Sequence, residues 1–187
     1  ADVNKSMRDG QSPLSLACNN NFKEIVNLLL ENGADVNQVK NKWWSPMYVA
    51  SSQGNKEIVT RLLKESGANV DQIDNMGGNT ALYSAASVGS LEVVKVLLAN
   101  GANPNLPGKG EGITPIHIAI SKGHIDIIET LLKNGADANQ ATLDGRTPLS
   151  IATKKRDTKI VTLLVESGAS VDQDTDGVAP LHSVSHH

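Results

Sequence analysis

Aromatic residues are almost missing from this chain of 187 residues, which has two Trp, two Tyr and one Phe, or 3% of the total. A core without rings must be aliphatic, and a hydrophobic content of 39% supplies enough Leu, Ile, Val and Ala to build one. Cysteine occurs once, at Cys18, which excludes an intrachain disulfide framework and suits a reducing compartment. An excess of one charge is lacking too. The net charge is -3 with acids and bases mixed, which argues against general attraction to nucleic acid or to an anionic membrane. No apolar run approaches transmembrane length and no signal-peptide pattern opens the chain. These absences point to the cytoplasm, with the nucleus also open, and to neither membrane nor nucleic acid as a partner.

What the chain has is repetition. The stretch Thr114-Pro115-Ile116-His117-Ile118-Ala119 has counterparts beginning at Ser12, Ser45, Thr80 and Thr147, and a weaker one at Ala179. Each full copy runs into an apolar helix-like segment and then Gly-Ala-(Asp/Asn/Ser), at Gly33, Gly67, Gly101, Gly135 and Gly168. Those glycines lie 34, 34, 34 and 33 residues apart. A fixed period of this size marks a solenoid, in which each unit buries its apolar face only by stacking on its neighbours.

The unit from Ile113 shows the local logic. Thr114 is suited to cap a helix, and Pro115 at the first helical position loses nothing by lacking an N–H. Ile116, Ile118, Ala119 and Ile120 are packing positions of a short first helix, which Gly123 ends in the left-handed conformation. Ile125, Ile127, Ile128, Leu131 and Leu132 then recur at helical spacing, with Asp126, Glu129 and Lys133 outward, until Gly135. Residues 136–146, rich in Asn, Asp and Gly, turn the chain toward Thr147.

These motifs resemble the ankyrin repeat, whose unit is a Gly-x-Thr-Pro-Leu-His-x-Ala-Ala helix, a second helix and a Gly-Ala-Asp-Val-Asn exit. The resemblance implies an all-α repeat solenoid of helix-turn-helix units joined by β-hairpin fingers. Five full units fall at about 5–38, 39–72, 73–106, 107–140 and 141–173, with a partial sixth at 174–184. Residues 185–187 read as a tag remnant, and Ala1-Asp2-Val3-Asn4, which matches Ala34-Asp35-Val36-Asn37, reads as the exit of a trimmed repeat. Several positions depart from the pattern. Trp43 stands where the other units have Gly10, Gly78, Gly112, Gly145 and Gly177, and repeat 2 carries an extra residue before Gly67. Asn21 and Arg156 replace the inter-helix glycine. Asn tolerates the left-handed region, whereas Arg either bears about 1 kcal/mol of strain or shifts the helix end, making repeat 5 the least regular.

The resemblance also implies that fingers and first helices line one concave face where a protein or peptide docks. On this chain that face includes Arg8, Lys42, Trp44, Met76, Asn79, Glu111, Ile113, Lys122, Arg146, Lys154 and Lys155. Four of the five aromatics, Trp43, Trp44, Tyr48 and Tyr83, fall in the fingers or first helices of repeats 2 and 3. Two readings stand for the Trp pair: a binding anchor, since Trp and Tyr bury much area at small entropic cost, or Trp43 folding onto the next finger to stiffen it. Tyr48 and Tyr83 fill the motif's His place and read as structural. Lys122, Arg146, Lys154 and Lys155 either receive an acidic peptide or form a solvated surface broken by Glu111, Asp144 and Asp157.

Weaker signals are assigned to structure. Asn37 and Asn139 sit in exits resembling substrates of asparaginyl hydroxylation, but a turn role is the simpler reading. The sequon Asn4-Lys5-Ser6 is at odds with the cysteine usage, and the glycine-rich run 108–112 lacks the strand and Lys-Ser/Thr of a phosphate loop. His117 and His182 occupy the motif's own His place. With no nucleophile–base set on one face and no carboxylate pair with a pocket, neither enzyme activity nor a metal or cofactor is expected. The sequence thus reads as a non-catalytic interaction module, monomeric or weakly self-associating. The alternative is a structural spacer within a longer array.

Overall fold

In a computed structural model the chain is described over residues 2–8, 10–39, 44–75, 77–108 and 110–171. Ten helices lie within them, in five consecutive pairs. The pairs are α1 (Pro13–Asn19) with α2 (Lys23–Glu31), α3 (Pro46–Ser52) with α4 (Lys56–Leu63), and α5 (Ala81–Val88) with α6 (Leu91–Ala99). They continue with α7 (Pro115–Lys122) and α8 (Ile125–Lys133), then α9 (Pro148–Lys155) and α10 (Thr158–Glu166).

The first helices start where the sequence places their caps. Ser12, Ser45, Thr80 and Thr147 each accept a hydrogen bond from the backbone N–H three residues on, at 3.0 to 3.2 Å. At Thr114 the ring of His117 closes the start of α7 instead, its Nδ1 accepting the Thr114 N–H at 3.2 Å and lying 2.8 Å from Oγ1. Such caps satisfy amides that a helix of seven or eight residues would otherwise leave open at its first turn.

Stacking then makes two layers. Odd-numbered helices contact one another in one row, even-numbered helices in a second, and each pair packs across the gap. The shared core is aliphatic, as the scarcity of rings requires: Leu14, Ile58, Leu62, Leu82, Leu97, Ile116, Ile128, Leu131 and Ile160 are fully buried. Cys18 is buried among them, and burial pushes its thiol pKa up to about 12, so the group behaves as a small hydrophobe.

A second, polar linkage joins the repeats at their exits. Asn37 donates through Nδ2 to the Gly67 carbonyl at 2.6 Å and accepts the Asn69 N–H at 2.9 Å. Asn105 does the same with Gly135 (2.9 Å) and Asp137 (2.8 Å), and Asn139 with Gly168 (3.1 Å) and Ser170 (2.7 Å). Asn4 makes the equivalent pair with Gly33 and Asp35. The exit asparagines are therefore bridges between units rather than simple turn formers. Asp71 fills this place in repeat 2, where its carboxylate accepts the Asn103 N–H at 3.0 Å but has no amide to donate.

The fingers depart from the expected β-hairpins. No strand occurs among the described residues. Single backbone bonds close the finger bases instead, from Asp74 N–H to Asn79 at 3.0 Å, Gly108 N–H to Ile113 at 2.9 Å and Thr142 N–H to Arg146 at 2.9 Å. Segments this short and this rich in Gly, Asn and Asp complete one rung and turn before a ladder can extend.

The inter-helix position shows how firmly the stack sets local backbone. Gly54, Gly89 and Gly123 adopt positive φ there, and so do Asn21 (56°) and Arg156 (58°). Arg156 thus takes the strained conformation rather than moving the end of α9, while Asp157 caps α10 by accepting the Ile160 N–H at 3.2 Å. Replacing Arg156 by Gly is expected to stabilise the protein by about 1 kcal/mol, raising Tm by about 2–4 °C in a thermal melt. Asn105→Ala, although partly exposed, should lower stability by about 1–2 kcal/mol because it deletes both bonds of a bridge, which urea unfolding would measure.

Candidate functional site

The finger and first-helix face is built outward from the caps. Trp44 immediately precedes the α3 cap, and its carbonyl accepts the Ser15 hydroxyl of α1 at 3.0 Å, so repeat 1 fixes its backbone. Trp44 is 37% exposed as a residue, and its indole stacks on Tyr48 with centroids 6.1 Å apart and planes 12° from parallel. Tyr48 is half-buried; burial raises its pKa, opposed by a hydrogen bond with Ser84 of α5. Tyr83 lies half-buried one repeat on, its pKa likewise raised by burial and then by the nearby Glu111 carboxylate. The two tyrosines serve as inter-repeat packing with one edge in solvent.

Two fingers have their polar groups tied down. Asp74 is fully buried and accepts the Gly77 and Asn79 N–H groups at 2.7 and 2.8 Å. The Asn79 side chain lies against both Gly77 and Gly108, where a Cβ on either glycine would collide with it, so this residue wedges two fingers together. Farther along, Arg146 joins Glu111 of the preceding finger (3.2 Å) to Asp144 of its own (2.6 Å). The Arg146 and Thr142 hydrogen bonds hold the Asp144 carboxyl down at about 2, and its pairing with Asp144 raises the Arg146 pKa.

Beside this triad a groove of about 610 Å³ is lined by Arg146, Leu149, Ile151, Lys154, Lys155 and Val171, among others. Three of the four expected basic residues thus meet at one place, while Lys122 is exposed at the end of α7 outside the lining. Lys155 donates to the Ser121 carbonyl at 2.6 Å. Ile113 is half-buried and Arg8 exposed at the first finger. Lys42, Trp43 and Met76 lie outside the described residues. Leu143 escaped the sequence reading: it is 80% exposed at the fifth fingertip, and its N–H donates to the Glu111 carbonyl at 2.9 Å. A leucine inside a polar turn segment was the signal for it. Among the described residues no cluster of His, Cys, Asp and Glu is arranged to hold a metal ion. No helix there is long and apolar enough to cross a membrane.

A family model described as ankyrin repeats (3 copies) matches residues 1–74, 66–142 and 116–186. The chain belongs to the ankyrin-repeat family. It is also similar to the potassium channel AKT1 of Oryza sativa, in both subspecies indica and japonica, at 37% identity over 57 residues. That stretch is 30% of this chain and 6% of the channel.

Within the ankyrin frame, His117 is a structural rather than a reactive histidine. It is fully buried, and because Nδ1 accepts the Thr114 N–H its proton resides on Nε2 and the ring is neutral. Burial lowers its pKa, opposed by the nearby Arg146 and Gln140 carbonyls. A histidine with a depressed folded pKa stabilises the fold above its unfolded value of about 6.5. That contribution is lost as pH falls through the folded value, because the unfolded chain then binds the extra proton. Tm should therefore fall between about pH 7 and pH 5, and His117→Gln should be less stable at neutral pH but fall less steeply over that window.

Proposed function

We propose that this array is a non-catalytic docking module that binds a peptide or folded protein on its finger and first-helix face. Ankyrin repeats as a family generally mediate protein–protein interaction, and the match to that family along the chain supports the coarse reading. The observation that carries the finer one is the Trp44 shelf: a residue more than a third exposed, its ring stacked on a half-buried tyrosine and its backbone anchored by the preceding repeat. An aromatic already held in place loses little entropy when a partner covers it, and such residues dominate binding energies at interfaces. Lys154 and Arg146 supply the charged rim, although Arg146 must exchange solvent-exposed pairs with Glu111 and Asp144 to serve a partner. Trp43, Lys42 and Met76 are assigned to the same face from the sequence. The protein is read as a cytoplasmic monomer with neither nucleic acid nor membrane as a partner.

The runner-up is a structural spacer or self-associating segment of a longer array, which the small share of a large channel covered by the similar stretch favours. Affinity capture from lysate with the wild type and with Trp44→Ala, both checked by thermal melt, separates the two. Docking through the shelf predicts a partner whose recovery drops by about tenfold or more on losing Trp44 at nearly unchanged Tm. A partner held equally by both proteins but lost with Lys154→Glu moves the site to repeats 4 and 5. No saturable partner for either protein, together with a concentration-dependent mass, favours the spacer reading.

A further inference from the structure

Three of the second helices end on an Asn-Gly step, where no Cβ shields the backbone nitrogen that follows the asparagine. α2, α6 and α8 run into Asn32-Gly33, Asn100-Gly101 and Asn134-Gly135, and all of these residues are exposed. At such a step the glycine nitrogen, once it gives up its proton to solvent base, can attack the asparagine Cγ. The N–Cγ bond forms, the Cγ–Nδ2 bond breaks and ammonia leaves. Water then opens the cyclic imide to aspartate, or to isoaspartate with the backbone rerouted through the side chain.

The folded state restrains all three steps in the same way. Each Asn has ψ between 17° and 23°, which turns the glycine nitrogen away from the asparagine side chain. Each side chain is tied back through Nδ2 to the carbonyl four residues earlier, at 2.8 Å. Each glycine N–H donates into the last helical turn, at 3.0 Å for Gly33 and Gly101 and 3.2 Å for Gly135. Ring closure therefore requires the exit to open, and its rate follows the open population. The exits differ in one bond. Asn4 donates to the Gly33 carbonyl and Asn105 to the Gly135 carbonyl, whereas Asp71 stands at that place before Gly101 and has no amide to donate. We infer that Asn100 is a site of spontaneous deamidation in the folded protein, set apart from its counterpart Asn134 by the bond that repeat 2 does not supply. The product loses the Nδ2 bond to the Val96 carbonyl and places a carboxylate at the C-terminal end of α6, the negative end of the helix. Modification at Asn100 thus loosens the array at its middle. The inference rests on neither the Trp44 shelf nor any partner.

Peptide mass spectrometry of the full chain, incubated at mildly alkaline pH, reads aspartate and isoaspartate at each step separately. Rates in urea carry the intrinsic reactivity of each step and are divided out. Asn134 is the comparator, because α8 is packed between α6 and α10 as α6 is between α4 and α8. One hydrogen bond is worth about fivefold in an opening equilibrium, so Asn100 should react about fivefold faster than Asn134. Asp71→Asn, the residue of repeats 1, 3 and 4 at that place, should bring Asn100 down to the Asn134 rate. Asp71→Ala, which removes the carboxylate without supplying an amide, should leave Asn100 fast, and Asn105→Asp should speed Asn134 by a similar factor. Equal normalised rates in the wild type overturn the inference, as does an Asn100 rate that Asp71→Asn leaves unchanged or raises. A matching fall at Asn134 in Asp71→Asn also overturns it, because the substitution has then stabilised the whole array rather than closed one exit.

Discussion

No repeat in this protein can bury its own apolar face, and everything else follows from that constraint. The same helix position demonstrates it five times. Ile58, Val93, Ile127 and Ile160 have at most 2% of their surface exposed, whereas Ile25, with no described repeat outside it, keeps 47%. The residue type is nearly constant, so the difference is made by the neighbour alone. Fully burying a side chain of this size is worth about 1.5–3 kcal/mol, which places much of each unit's stability at its borders rather than inside it. Period must then be kept within a residue or so, since helices out of phase would set apolar rows against polar ones.

The extra residue before Gly67 in repeat 2, and the one extra residue that each of the stretches from Gly67 to Thr80 and from Gly101 to Thr114 carries relative to Gly33 to Ser45, show where that tolerance lies. They fall in turns, away from the apolar rows, so the buried series stays in register. The exit asparagines then fix the spacing of successive units by a pair of bonds that only a side-chain amide can make, one donated to a Gly carbonyl and one accepted from the next N–H. Exposed ion pairs such as Lys56 with Glu92 also link successive second helices, but solvent and salt weaken them, so they follow the stack more than they determine it.

What could be read from the sequence was what is local or periodic. Helix starts were legible because a Ser or Thr followed by Pro or a small residue states its own cap. The inter-helix turn was legible as a demand for positive φ, and Arg156 resolves the choice left open there: the stack holds α9 in place and the residue bears the strain. The finger contacts were not legible. Asn79 looked like a free fingertip but is wedged between Gly77 and Gly108, and Arg146 looked like a free cation but is shared between Glu111 and Asp144. Both depend on a finger about one period away in sequence, and repeat logic says which fingers are adjacent without saying which side chains meet. Leu143 was missed for the same reason, since its exposure depends on how two fingertips align.

That division bears on where recognition can reside. Positions committed to stacking are the same in every unit and cannot distinguish one partner from another, and the polar groups of Asp74, Asn79 and Arg146 are largely used within the fingers. On the docking reading proposed above, specificity would fall to positions that the stack orients but does not consume. Trp44 is such a position: repeat 1 fixes its backbone, Tyr48 supports its ring, and its remaining surface faces outward. In a chain with five aromatic residues, a ring kept partly in solvent is apolar surface withheld from a core that has few large side chains to use. Exposure alone does not single Trp44 out, since Phe22 (49%) and Leu143 (80%) are more exposed; on the docking reading proposed above, what distinguishes it is that backbone and ring are both held before a partner arrives.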